Sequence, residues 1–185
     1  MPAPPPKGAP PRPPRPRPRA LVGWQAVAFD SHSVKLGRPG MALTLNGIAQ
    51  GAVADRVAAL LRAEGLTDLL VDMGEIAGLG HRPDGTPWQA GIADPGGALQ
   101  ARVGLSDRAL ATSAPMGTVL DAGGAVGHIL DPRGGHAAPG WRLVSVSAPK
   151  AALADGLSTA FALMERPRID AALARHPETR LEVLI

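Results

Sequence analysis

The sequence predicts an α+β fold, a mixed or antiparallel sheet with two main helices. Three observations carry this reading. Short runs with strand alternation recur from residue 24 to residue 184. Two longer segments, 46–65 and 150–164, have helical spacing of apolar residues. Strands come in runs with the helices set apart from them, although one helical segment between two strands leaves a local βαβ unit open.

In chain order, residues 24–29 and 33–36 read as short strands around a polar turn, and Met41–Leu45 alternates like a strand after the turn Arg38-Pro39-Gly40. The first helix starts from Asn46 as N-cap, carries the apolar stripe Ile48, Val53, Val57, Leu60 and Leu61, and stops at Gly65 as C′ residue. A strand over 67–73 leads into a Gly-rich loop at 74–80. Further strands are predicted at 87–93, 100–105, 108–113, 126–130 and 141–148. The second helix covers 150–164, a short third one about 168–175, and a strand over 179–184 closes the chain.

Composition limits the chemistry. The 185 residues include no Cys, which excludes disulfides and thiolate zinc and leaves oxygen-ligand metals such as Mg²⁺ open. Three Trp, two Phe and no Tyr are too few rings for a base-stacking platform. The formal charge is +3, but residues 1–20 hold five basic residues and no acid, so the rest of the chain sums to −2. No nucleic-acid partner follows from such a balance. No apolar run is long enough for a transmembrane segment, and residues 1–20 have no apolar stretch of the kind an export signal needs. Residues 1–19, with ten Pro, read as a disordered or polyproline-like segment ahead of a domain at 20–185. That segment suits a linker or a non-native start better than a proline-motif ligand or a basic membrane tether.

Three segments can carry chemistry. Thr44–Gly51 puts two glycines around a helix start, where bare N–H groups and the dipole favour an anion such as pyrophosphate; small residues there also serve plain packing. In Ala154–Thr159, Asp155 and Thr159 are four apart and share one helix face with Ser158. Such a face is half a shell for Mg²⁺, or simply a solvated polar face. In His128–Gly135, a His leads a strand into a Pro-Arg-Gly turn, which could present an imidazole and a guanidinium to a phosphate, or could be a capped strand end. Asp72, Glu75 and His81 border the Gly-rich loop without a spacing that fixes their geometry, and His32, His136 and His176 stand in polar contexts.

Taken in order, Thr44–Ala52, Val71–Ile76, Ala109–Ala114, His128–Gly135 and Ala154–Thr159 resemble the successive motifs of the ApbE family, the FAD:protein FMN transferases. The resemblance covers about the last 165 residues and implies an α+β fold. It implies Mg²⁺ at the pyrophosphate of the substrate FAD, held by Asp155, Thr159 and the Gly47 carbonyl, with Ser158 at a neighbouring ligand position. It places His128 beside the reacting phosphates as the catalytic residue, and Thr44, Gln50, Thr112, Ser113 and Ile129 in contact with FAD. The implied reaction moves FMN to a Ser or Thr of an acceptor flavoprotein and releases AMP. Implied acceptors belong to membrane redox complexes or to reductase maturation.

The resemblance further implies a periplasmic location, against a cytoplasmic one from the N-terminus as written. This chain has Thr44 and Gln50 where the family usually has Asp and Lys, and Ala52, Ala114 and Gly134 where it has an aromatic, Gly and Thr. The N-terminal half of a typical member is expected to be missing. Alternatives to transfer are FAD pyrophosphatase activity and a truncated, non-catalytic FAD-binding remnant.

Overall fold

A computed structural model describes residues 18–134 and 140–185. The predicted disordered segment therefore lies, up to residue 17, outside the described residues, as do Gly135 and His136. The chain divides into two compact units, Met1–Leu43 and Thr44–Ile185.

In the first unit, 3₁₀ turns at Pro18–Leu21 and Trp24–Ala26 precede an antiparallel pair, β1 (Val27–Phe29) and β2 (Val34–Leu36). The strand predicted at 24–29 thus begins three residues late. Asp30 shapes the connecting turn by accepting the His32 and Ser33 N–H groups at 2.7 and 2.8 Å.

The second unit holds α1 (Ala49–Ala63), β3 (Leu69–Asp72), β4 (Ile76–Leu79), β5 (Trp88–Ala93), β6 (Leu99–Leu105), β7 (Arg108–Ser113), β8 (Val144–Ala148), α2 (Ala151–Phe161), α3 (Arg166–Leu173) and β9 (Arg180–Leu184). Five strands form one sheet in the order β3-β4-β7-β8-β9, every neighbour antiparallel. The α+β expectation holds. The local βαβ unit around the first helix is not formed, because residues 41–45 ahead of α1 are not a strand.

Strand alternation sorts the core into layers. Ala109 and Ala111 of β7 face the helices, against Ala54, Ala58 and Ala154, while Leu110 faces the other way onto Ile92, Val103 and Leu105 of the separate β5–β6 hairpin. Every residue of β8 is buried, as expected for a strand covered on both sides. Phe161 of α2 and Ile169 of α3 close the core over Val144 and Val146.

Three further expectations are corrected. Met41–Leu45 forms no strand; the Leu45 carbonyl accepts the N–H groups of Ile48 and Ala49 at 3.0 and 2.8 Å and winds the chain toward α1 instead. The Gly-rich run 74–80 is not simply a loop, since Ile76–Leu79 is β4, turned back on β3 through residues 73–75. Residues 126–130 form no strand, only isolated bridge positions at Gly127, paired with Val119, and at Leu130. Their backbone is used locally, with Leu120 N–H on Val126 O and His128 N–H on Thr118 O at 2.7 and 2.9 Å.

The α1 face is also different. Gly51, Ala54 and Ala58 are buried, whereas Ile48, Val53 and Leu60 of the predicted stripe are exposed and only Val57 and Leu61 pack against the core. The small face wins because α1 and α2 approach backbone to backbone. A Cβ on Gly51 would overlap the Ala151 carbonyl and the Ala152 Cα. Gly65 does end the helix, at φ +84°, with Leu66 N–H on Leu61 O and Gly65 N–H on Arg62 O. Gly51→Ala is expected to lower the stability of the folded chain by about 1–3 kcal/mol through overpacking; an unchanged denaturation midpoint would contradict this close approach.

Candidate functional site

The site is assembled by two helix starts. Asn46 is not the cap of α1. The N-cap is Ile48, which has no side chain to bond, and the N–H of Gly51 is taken by Asp155 Oδ2 from α2 at 3.0 Å. In return Asp55 of α1 accepts the first two N–H groups of α2, Ala151 and Ala152, at 2.9 and 3.1 Å. Each helix N-terminus is thus capped by a carboxylate of the other. Partners descend along α2 as residues ascend along α1, so the two helices run antiparallel.

This pairing sets Gly47, just ahead of α1, against the second and third turns of α2. A Cβ on Gly47 would stand 2.9 Å from Thr159 Cγ2 and 3.4 Å from its Oγ1, and the Gly47 carbonyl oxygen is 3.9 Å from where a Cβ of Gly156 would be. Ser113, at the end of β7, adds its hydroxyl: Oγ is 2.8 Å from Ser158 Oγ and 3.3 Å from Thr159 Oγ1. Ser158 Oγ also donates to the Asp155 carbonyl at 3.0 Å. The result is one carboxylate, three hydroxyls and a backbone carbonyl gathered where the helices cross.

Burial pushes the Asp155 carboxyl above its ordinary range, and the Gly51 N–H pulls the other way. Glu75, in the β3–β4 turn, is buried as well. Desolvation and then the charges of Asp155 and Asp72 push it up to about 8, and its Oε2 has no hydrogen-bond partner. Sequence reasoning left Glu75 without a role; the signal available was an acid inside a segment already matched as a motif. Asp55 was missed altogether, since nothing local marks an acid that caps a helix nearly a hundred residues away.

The other candidate residues are placed as follows. Thr44 Oγ1 accepts the Asn46 N–H at 3.4 Å on the approach to α1. The Gln50 side chain lies against the β3–β4 turn, with Nε2 3.1 Å from where a Cβ of Gly74 would be. Thr112 points away from Ser113, and its hydroxyl meets Ser145 Oγ at 2.8 Å. Ile129 is a core residue beside Val144 and Phe161, which anchors its loop and leaves the preceding His128 exposed. His128 Nδ1 stands 3.3 Å from Thr118 O.

Arg133 chelates Asp131, holding that carboxyl down at about 2, and donates to Leu163 O at 2.9 Å beyond the end of α2. Its guanidinium therefore clamps the loop. Among the described residues no three His, Cys, Asp or Glu side chains converge as a metal cage. A cation here would draw on the mixed oxygen set, which suits a hard ion such as Mg²⁺ that keeps waters or phosphates in its shell. Two buried carboxylates, one with an unpaired oxygen, fit such an ion.

Residues 5–185 match the ApbE family. The FAD:protein FMN transferase of Treponema pallidum is 33% identical over 160 residues, which is 79% of this chain and 44% of that protein. The one of Vibrio cholerae is 30% identical over 157 residues, 81% of this chain and 47% of that protein. In solved structures, the Vibrio cholerae flavin transferase ApbE superposes at a TM-score of 0.72 with 27% identity, over 85% of this chain and 52% of that one. An ApbE protein of Thermotoga maritima superposes at 0.79 with 28% identity, over 90% and 56%. The chain spans about half the length of the relatives it matches.

The Glu75 environment makes stability depend on pH. Its folded pKa, about 8, lies above the ordinary 4.5, so between these values the folded chain holds a proton that the unfolded chain has released. In cation-free buffer stability therefore falls as pH rises through that window. Glu75→Gln should flatten this part of the profile in denaturant titrations; a variant as pH-dependent as the parent would show that Glu75 is not the group.

Proposed function

Since the chain belongs to the ApbE family, we propose that it acts in Mg²⁺-dependent transfer of FMN from FAD to a Ser or Thr of an acceptor flavoprotein, with release of AMP. The observation that carries this reading is the oxygen set at the helix crossing: Asp155 held by Gly51, with Thr159, Ser158, Ser113 and the Gly47 carbonyl around it.

Asp155, Thr159 and the Gly47 carbonyl are the residues that would hold Mg²⁺, with Ser158 beside them. When bound, the ion would neutralise the pyrophosphate and make its phosphorus more electrophilic. Fixing Asp155 Oδ2 on a backbone N–H leaves Oδ1 for a ligand and removes the freedom of the side chain to turn. Thr44 and Gln50, by the same helix start, would meet a phosphate or ribose edge of FAD, and the segments that carry Thr112 and Ile129 would flank it.

His128 is the proton-handling residue in this scheme. With Nδ1 directed at a carbonyl, that nitrogen carries the proton and Nε2 is left as acceptor. The acceptor hydroxyl oxygen forms a bond to the phosphorus of the FMN moiety, the P–O bond to AMP breaks, and the hydroxyl proton passes to Nε2. Acceptors in membrane redox complexes or in reductase maturation, in the periplasm, fit this chemistry. No described helix is long and apolar enough to cross a membrane.

Thr44, Gln50 and Gly134, where the family usually has Asp, Lys and Thr, favour a second reading: these residues supply an FAD-binding element that does not turn over alone, or that passes FMN to water as a pyrophosphatase. Incubation with FAD, Mg²⁺ and a Ser/Thr acceptor peptide separates the cases. Flavin fluorescence retained on denatured peptide, with AMP released in equal amount, is the expected result. FMN and AMP without an acceptor would indicate hydrolysis, and binding with no product would leave the non-catalytic reading. Asp155→Ala should reduce Mg²⁺-dependent turnover at least ~100-fold, and losing the cap on α1 should also cost about 1 kcal/mol of stability; activity at the parent level would remove Asp155 from the cation site. FAD and Mg²⁺ together should raise the melting temperature through mass action, and no shift would count against a competent site.

A further inference from the structure

The β3–β4 turn carries a second buried carboxylate, Glu75, within reach of the Asp155 charge. We propose that Glu75 faces the divalent cation alongside Asp155 and is a determinant of its affinity. The proposal rests on the cation-binding reading of the helix crossing and deepens it.

Four observations converge. Glu75 is 7% exposed, so its carboxylate is removed from water. Its Oε2 is buried without a hydrogen-bond partner, a condition native interiors avoid unless a ligand completes it. The charges near enough to act on it are both negative, Asp155 and Asp72, and no described Lys or Arg opposes them. Finally, the side chain packed against the turn is the neutral Gln50, at the start of α1, so no fixed positive charge arrives from that helix either.

The backbone explains why Glu75 is held there. Gly74, at φ +98°, makes the sharp turn between β3 and β4, and the Met73 N–H donates to the Glu75 carbonyl at 3.2 Å. The Gly74 N–H is bonded to Asp72 Oδ1 at 3.3 Å, which engages that acid within the turn. Pairing of Asp72 with Ile76 across the hairpin then fixes the chain on both sides of Glu75. Two buried like charges repel unless something positive lies between or beside them. An oxygen-seeking divalent ion provides that charge and takes carboxylate oxygens as ligands, directly or through its waters. A purely structural acid in this position would be expected to show a donor on Oε2, and none is present among the described residues.

The test is calorimetric titration of the full chain with Mg²⁺, with and without FAD, alongside melting curves in EDTA. The parent should bind Mg²⁺, Asp155→Asn should lose it, and Glu75→Gln should bind at least ~10-fold more weakly, as for other groups that tune a metal shell. Glu75→Asp should recover part of the affinity. In EDTA, Glu75→Gln should melt at or above the parent temperature, because a buried carboxyl with an unpartnered oxygen is gone, while its Mg²⁺-induced rise should shrink. Parent-like Mg²⁺ affinity in Glu75→Gln, with binding lost in Asp155→Asn, would overturn this inference and leave the cation site standing. A variant that melts well below the parent in EDTA would also overturn it, in favour of a structural role. Absence of Mg²⁺ binding by the parent, with or without FAD, would remove the cation site itself and this inference with it.

Discussion

The reciprocal carboxylate caps between α1 and α2 are the constraint on which the rest of the unit depends. A helix start leaves N–H groups without partners, and these two helices leave theirs to each other. Asp155 reaches Gly51 and Asp55 reaches Ala151 and Ala152, each link joining residues about a hundred positions apart. Such links work only if the backbones nearly touch, which is why a glycine stands at 51 and alanines line the contact. The same proximity sets Gly47 against Thr159. Packing, capping and the proposed chemistry thus share one crossing point, and the carboxylate proposed as a metal ligand doubles as a structural cap.

That double use has an electrostatic consequence. Asp155 carries one hydrogen bond from a backbone N–H and is otherwise buried, and Glu75 is buried within reach of its charge with an oxygen unpaired. Without a cation the arrangement holds protons above the usual carboxylate range. With one, the same groups become a preformed anionic seat. The Ser158 and Thr159 hydroxyls are each hydrogen-bonded to Ser113 Oγ, which orients them around the proposed seat.

Much of this was legible in the sequence. The α+β class, β5 to β7, β9 and the presence and order of α1, α2 and α3 follow from periodicity and turn residues, and the five ordered motifs pointed to the family. The failures have common causes. The α1 stripe of Ile48, Val53 and Leu60 looked like the buried face because large apolar residues usually are, but a close helix crossing selects Gly51, Ala54 and Ala58. Gly-rich composition hid β4, whose Gly78 is small because Leu105 packs over it and whose Ala77 lies in the core layer with Ala54 and Ala58 of α1. Alternation at 126–130 was real, yet its hydrogen bonds go to a neighbouring loop rather than to a strand. Asp55 and Glu75 act through partners distant in the chain, and local pattern carries no record of such pairings.

The central claim, that the helix crossing seats a divalent cation, is tested most directly by an anomalous difference map from crystals grown with Mn²⁺ and FAD. The account predicts one strong peak bounded by Asp155, Thr159 and the Gly47 carbonyl, with oxygen distances of about 2.0–2.3 Å and the Glu75 carboxylate turned toward it. A cation peak elsewhere on the chain, with this crossing filled only by water, would contradict it.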